Sequence, residues 1–473
     1  MKRVIIIMLS FLALGAQAQT QGDTLKMTLQ DCIDYALKNN VDVKNATLDE
    51  AIAKSKVGET RGIGLPQING SVGLQHYFKL RNFYLPKSSL LNFTPPDQQG
   101  ALAALPDNTI GVVPNLFQLP TTLDASITAS QLLFSASYII GLQAANTYKE
   151  LSRKSTAQTK ETTVNNVKKA YYSQLIALER IKLFDANIAR LDTIIRQTTA
   201  LQKSGFAESI DVDRLTVSYN NLLTEFEKTL SLLALASLQL KFQMGMPLEQ
   251  NLILNDRIET VTVDTSYRTN QQIVYNNRSE YELLQVQRKL NTLELRNYRS
   301  AALPSLLLRG SLGAFTSQNN LNFFEEKSFL VDNTVKRRNT YWSDYSFIEL
   351  GLNVPIFSGL QNNYKVQQSK LSLQKTENNI RNFESAMSLQ VKASRVNLDN
   401  AYRSLDIQRR NVELAKKVSN VSLKKYKAGT GSNLEVTEAE SSLKEAQINY
   451  FNALYDYMVN KIEYEHAIGA NKY

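Results

Sequence analysis

Two periods of hydrophobic and polar positions alternate along this chain. Residues 136–203 hold no proline, Gly141 is their only glycine, and apolar positions recur at helical spacing. Ile181, Ile188 and Ile195 repeat every seventh position. Phe184, Leu191 and Thr198 do the same three positions later, the a/d pattern of a coiled coil. At about 1.5 Å per residue, one helix over that stretch makes a rod of ~100 Å. Residues 359–427 repeat the theme, with Leu398, Leu405 and Val412 in one series and Ile407, Leu414 and Val421 in another. Those series lie on different faces, so this helix is expected to pack against neighbours on two sides. Each rod ends on a stop signal, Lys203-Ser204-Gly205 and Lys427-Ala428-Gly429, with Lys in the last turn and Gly just beyond it. Return helices are predicted over 209–246 and 432–468; Ser432 and Glu435 have capping-box spacing. Shorter helices are predicted over 28–61 and 270–300, each ending before a Leu-Pro pair, Leu65-Pro66 and Leu303-Pro304.

After each Leu-Pro the period drops to two, the signature of strands. Ile68, Val72 and Leu74 alternate with Gln67, Asn69 and Ser71, and Leu123 and Ile127 with Asp124, Ser126 and Thr128. In the second half Leu306, Leu308 and Leu312 oppose Arg309 and Ser311. Ile348, Leu350, Leu352, Val354 and Ile356 oppose Glu349 and Asn353. Strands are therefore expected over 66–78, 122–134, 304–315 and 347–357. A length near ten residues with one apolar and one polar side suits a transmembrane barrel. Tyr77, Phe78, Phe83 and Tyr84, then Tyr341, Trp342, Tyr345 and Phe347, cluster near the far strand ends and are expected to form an aromatic girdle. Four strands cannot close alone, and lipid does not tolerate open edges. Several chains must share one barrel: two would give eight strands with a filled interior, three would give twelve with a lumen. The long loops, about 80–120 and 316–345, suit the extracellular side.

The two halves are copies. Gly205, Ile210, Asp211 and Val212 fall on Gly429, Leu434, Glu435 and Val436 at a spacing of about 224 residues. Gly245 falls likewise on Gly469, and Asn39 matches Asn277 at a slightly longer spacing. Such self-similarity marks one supersecondary unit used twice. The expected organisation is a signal peptide (1–18), a first repeat (19–246, helical hairpin 136–246), a linker (247–269), a second repeat (270–469, hairpin 359–468) and a tail (470–473).

Composition narrows the function. Residues 1–18 have a basic start, an apolar run and Ala16-Gln17-Ala18, a cleavable secretory signal. Its removal takes away Lys2 and Arg3 and lowers the formal charge from +10 to +8. No later segment approaches the ~20 apolar residues of a membrane-spanning helix. A single cysteine, Cys32, excludes a disulfide framework and is expected to be a buried helix residue. Two histidines, His76 and His466, leave no zinc-type spacing, and no nucleophile cluster suggests an enzyme. The positive charge is spread over the chain, which speaks against nucleic-acid binding.

The duplication, Leu-Pro before the strands (Pro66, Pro304), Val354-Pro355-Ile356-Phe357 ahead of the long helix, and Tyr426 to Thr430 followed by Leu434-Glu435-Val436 together resemble the TolC-like outer-membrane efflux and secretion channels, over nearly the whole chain after the signal. The resemblance implies a mainly α fold with a small membrane β part. Three chains would assemble an α-barrel of coiled-coil helices under a shared twelve-stranded β-barrel, located in the outer membrane with a large periplasmic part. The linker and tail would lie in an equatorial collar. It also implies a passive exit duct fed by an inner-membrane pump through a periplasmic adaptor (a membrane fusion protein), without cofactor, metal or nucleic acid. The rival reading is a periplasmic coiled-coil adaptor or structural envelope protein without a pore, although adaptors usually carry one hairpin per chain.

By the same resemblance, the two hairpin turns are the adaptor-binding tips: Gly205, Phe206 and Ala207, and Gly429, Thr430 and Gly431. Glu435 and Glu438, sharing one helix face, match acidic positions that line the closed tunnel end. Asp211 matches an acidic residue that ties neighbouring hairpins shut, and Tyr426 the tyrosine that partners it. The family's basic partner two residues after the turn glycine is replaced here by Gly431.

Overall fold

The computed structural model of the protein describes residues 25–90, 92, 94–113, 118–256, 275–323, 327–331, 334–338 and 342–470. The expected signal, most of the linker (257–269), residues 471–473 and Tyr341 lie outside the described residues. In chain order the first half holds β1 (Leu25–Met27), α1 (Leu29–Asn39), α2 (Val41–Gly62), β2 (Gln67–His76), β3 (Phe83–Pro86), β4 (Ile110–Val113), β5 (Thr121–Ser135), α3 (Ala136–Lys203) and α4 (Ser209–Met244). Then follow β6 (Leu252–Leu254), α5 (Ser279–Ser300), β7 (Ser305–Gln318), β8 (Lys327–Val331), β9 (Thr334–Arg338), β10 (Ser343–Asn353), α6 (Gln361–Lys427) and α7 (Asn433–Ala467). The chain divides into two compact units.

The helical unit comprises Met1–Ser55, Asn146–Thr292 and Ser369–Tyr473, within their described residues. The coiled-coil series of α3 is its spine. Phe184, Leu191 and Ile194 are buried with Leu215 and Leu222 of α4 and Val436 of α7. Burying each such side chain contributes about 1.5–3 kcal/mol. Leu398 and Leu405 of α6 are likewise buried, against Leu454, Tyr457 and Met458 of α7. The second α6 series, Ile407, Leu414 and Val421, is exposed, so one of the two predicted faces has its partner inside the chain and the other does not.

A third cluster joins α1 to α3 and α4: Cys32, Ile33 and Ala36 pack on Val164, Val167, Tyr171, Leu240 and Met244. Burial pushes the Cys32 thiol up to about 12. Thr28 starts α1 with a full capping box to Asp31, and Asp256 accepts from the Leu29 N–H and the Tyr171 hydroxyl. One contact occurs in both halves. A Cβ at Gly245 would lie 2.6 Å from Asn39 O, and a Cβ at Gly469 would lie 2.8 Å from Asn277 O. Only glycine permits that approach, so the residues matched by the sequence repeat meet in the same way twice.

Near the second of these contacts, Glu161 is buried. Its Oε2 accepts from Ser279 Oγ, and its Oε1 lies 3.5 Å from His466 Nε2. Desolvation raises the Glu161 carboxyl above its ordinary range, against the Ser279 hydrogen bond, which acts the other way. Arg278, also buried, donates to Glu280, Gln390 and the carbonyl of Ala467, tying α5, α6 and the end of α7 together.

The sheet unit comprises Lys56–Ala145 and Leu293–Gln368. Its antiparallel sheet has the order β10-β7-β5-β2. The register puts Val72 level with Ala125, Ile127 with Leu312, and Ile348 with Gly310, on one apolar side whose large residues are exposed. The other side is polar. Ser71 and Ser126 hydroxyls are 2.8 Å apart, Thr128 and Ser311 3.1 Å, and Arg309 is level with Glu349.

Three expectations shift, the first being that the helix expected over 28–61 is two, α1 and α2, parted at Asn40. The last strand is Ser343–Asn353, starting and ending earlier than 347–357. Pro355 has no N–H to donate to a ladder, so the alternation of Val354 and Ile356 continues beyond the hydrogen bonding. Tyr345 and Phe347 also lie on the side of Glu349, not on the apolar side.

Candidate gate and docking turns

The two long helices of the helical unit end in turns built alike. Gly205 has φ of 78° and Gly429 of 72°, left-handed values that stop a helix and that glycine adopts without penalty. The N–H of Phe206 donates to Leu201 O (2.9 Å), and that of Thr430 to Lys425 O (3.0 Å). Each bond satisfies a carbonyl that the ending helix leaves free. The next helix starts on Glu208 in the first turn, whose carbonyl accepts from the Asp211 N–H (3.2 Å) while Asp211 Oδ2 accepts from the Glu208 N–H (3.4 Å). In the second turn Ser432 Oγ accepts from the Glu435 N–H (3.2 Å).

The predicted residues distribute as follows. Phe206 is 83% exposed, an apolar ring at the apex of its turn. Gly205, Gly429 and Thr430 are exposed with it, and Ala207 and Gly431 are half-buried. Gly431 is crowded: a Cβ there would stand 2.9 Å from Lys425 Cβ and 3.1 Å from the Tyr426 nitrogen. A basic side chain at this position would have to push the preceding turn aside, which is a physical reason for its absence. Glu435 and Glu438 are both exposed on the first turn and a half of α7.

Asp211 and Tyr426 do not pair. The Tyr426 hydroxyl donates instead to Thr198 Oγ1 (3.1 Å), while its ring packs on the Phe184–Leu215–Val436 cluster. The carboxylate of Asp211 caps its own helix, but its carbonyl accepts from Asn433 Nδ2 (2.8 Å) and so links the two turns. Thr198 and Asn433 are the residues that sequence reasoning missed. Thr198 carried a signal, a hydroxyl at a core heptad position. Asn433 carried none, because its acceptor is a main-chain oxygen.

Further along the same helices lies a polar layer. Arg190 Nη2 stands 2.7 Å from Glu440 Oε2, Ser419 Oγ donates to Glu440 Oε1 (2.6 Å), and Asn187 Nδ2 donates to Gln447 Oε1 (2.9 Å). A cavity of about 90 Å³ adjoins it, lined by Asn187, Arg190, Ser218, Asn221, Glu440 and Lys444 among others. These contacts connect α3, α6 and α7 side to side. In some helical bundles such layers fix register more than stability.

The model of outer membrane efflux proteins matches residues 32–245 and 268–470. The chain belongs to that family. Membership makes it an outer-membrane protein of the efflux class and a channel component, not an enzyme. It is 20% identical to the outer membrane protein TolC of Escherichia coli strain K12, over 99% of this chain and 87% of that protein. TolC of Vibrio cholerae is 22% identical over 73% of this chain and 76% of its own length. Among solved structures, CusC superposes with a TM-score of 0.69 at 15% identity, covering 96% of this chain and 95% of its own. The Campylobacter jejuni outer membrane channel CmeC gives 0.68 at 15% identity, covering 94% and 86%. At these identities the likeness establishes the fold: long paired helices with a small sheet.

Proposed function

We propose that the protein is the exit duct of a tripartite efflux or secretion system. Three chains share one twelve-stranded barrel in the outer membrane and an α-barrel in the periplasm, and substrates pass through passively. One observation carries the reading. The four-stranded sheet exposes its apolar side and ends in two edge strands, β2 and β10, with no further partner among the described residues. In lipid such edges must be paired, and copies of the chain can pair them. Three copies leave a lumen, whereas two would fill it. The exposed series Ile407, Leu414 and Val421 on α6 supports the same assembly, as a helix face left for a neighbouring chain.

The two-repeat organisation, 19–246 and 270–469 about a linker, is part of the proposal. The two segments of the family match and the doubled glycine contact support it. Gly205, Phe206, Ala207, Gly429, Thr430 and Gly431 dock the periplasmic adaptor, which joins the duct to an inner-membrane pump. Glu435 and Glu438 ring the closed end in three copies, favouring cations. Asp211, through its carbonyl, and Tyr426, through Thr198, hold the hairpins together in the closed state.

The test is assembly and current. Chemically cross-linked, detergent-purified protein should run at three times the chain mass and conduct ions across a planar bilayer. Asn433→Ala with Tyr426→Phe should raise its single-channel conductance. A monomer that passes no current sinks the duct. An unchanged conductance in the double variant removes those two residues from the gate.

A further inference from the structure

The polar side of the sheet carries three aromatic rings. Register sets Phe315 level with Asp124 and Ser343, Gly313 with Ser126 and Tyr345, and Ser311 with Thr128 and Phe347. Residues directly opposite in antiparallel strands share a side. Phe315, Tyr345 and Phe347 therefore project with Ser126, Thr128, Arg309 and Glu349, each exposing about two-fifths of its surface. An interfacial belt facing lipid would require the opposite parity, that of Ile348 and Leu350.

The patch is built into the sheet. A Cβ on Gly313 would lie 2.5 Å from Tyr345 Cζ, so the tyrosine ring occupies the place of a side chain there. An aromatic laid over a strand glycine restores the packing that the glycine lacks and holds the ring flat. Charge is uneven beside it. Arg309 faces Glu349 across β7 and β10, whereas Asp124 stands between Gly73 and Phe315, neither of them a cation. Its Oδ1 leans over Gly73, where a Cβ would be 2.5 Å away. Rings attract cations over their faces, and a neighbouring carboxylate strengthens that preference.

We propose that Phe315, Tyr345 and Phe347, with Asp124, form a transit subsite for organic cations that carry an aromatic ring. The inference rests on the duct reading, in which this side of the sheet lines the aqueous passage. A ring-bearing anion meets the rings but is repelled by Asp124, and a cation without a ring keeps the cation–π and carboxylate attractions but has no ring to stack on. Both are held more weakly than a cation that carries a ring.

The experiment compares three probes on the full-length assembly in planar bilayers: ethidium, tetrabutylammonium and naphthalenesulfonate. Ethidium should interrupt the wild-type current at about tenfold lower concentration than the other two, the scale of one aromatic stacking contact over tetrabutylammonium and of one cation–π contact over naphthalenesulfonate. The triple variant Phe315→Leu, Tyr345→Leu, Phe347→Leu keeps apolar bulk and should conduct, yet lose that advantage. Asp124→Asn should bring ethidium and naphthalenesulfonate closer together. Equal interruption of wild type and triple variant by ethidium overturns the subsite and leaves the duct standing. If the wild type passes no current, the duct reading fails on its own. Ethidium fluorescence anisotropy with detergent-purified protein then decides the patch, which requires binding by wild type and weaker binding by the triple variant.

Discussion

The helical and sheet units use hydrophobic residues in opposite ways. In the helical unit Phe184, Leu215 and Tyr457 are fully enclosed by neighbouring helices of the same chain. In the sheet unit Ile348 is 84% exposed and Leu350 63%, although both sit in regular, well-paired strands. A sheet with one bare apolar side is not a folding error in a chain of this family. It is a surface shaped for a solvent other than water, while the helices carry a core that owes nothing to lipid. The stability of the two units should therefore respond to different insults.

Phe184→Ala should strike hardest, costing about 3–5 kcal/mol by emptying the α3–α4–α7 core. Urea unfolding followed by the helical circular dichroism signal would measure it, and a shift below 1 kcal/mol would deny that cluster its role. Leu350→Arg should cost ~2–4 kcal/mol if this side faces the bilayer core. That loss should appear on folding into lipid vesicles, while the urea midpoint of the helices stays in place. A cost that is absent in lipid would break the comparison at its root.

A smaller effect is expected at the second turn, where Ser432→Ala removes the hydroxyl that caps α7, for about 1 kcal/mol. Melting temperature at fixed pH reads it out, and restoration by Asp at the same position separates capping from packing. Glu161 gives a test that depends on pH. Its carboxyl is raised by burial, so folding favours the protonated form. Stability should be complete below the ordinary carboxylate range and decline as pH rises through the raised range of Glu161. Glu161→Gln should flatten that decline, and a melting profile of unchanged slope would clear Glu161 of responsibility. Least of all, Phe206→Ala should move stability by no more than about 0.5 kcal/mol, because the ring touches little of its own chain. Under the proposed docking role, its effect is expected in cross-linking to an adaptor instead.

How far the sequence revealed this depended on whether the signal was local. The rods, their glycine stops and the capping of α7 are properties of consecutive residues, and each was readable. Parity was readable too, yet proximity won over it. Tyr345 and Phe347 cluster with Trp342, which suggests a membrane girdle, but their odd numbers put them with Glu349. The Val354–Ile356 alternation extended a strand past the point where Pro355 removes a donor. Nothing local announces that Tyr426 reaches Thr198, 228 positions away. Nor does any side-chain pattern report that Asn433 bonds the carbonyl of Asp211.

Cys32 is the chain's one thiol, fully enclosed and held in its neutral form near physiological pH. It is chemically silent towards maleimides and methanethiosulfonates as long as the fold is intact. A cysteine introduced at Phe206 or on the sheet would then be the lone reactive handle of the chain. Spin labels or dyes could be placed on the native background without first deleting anything.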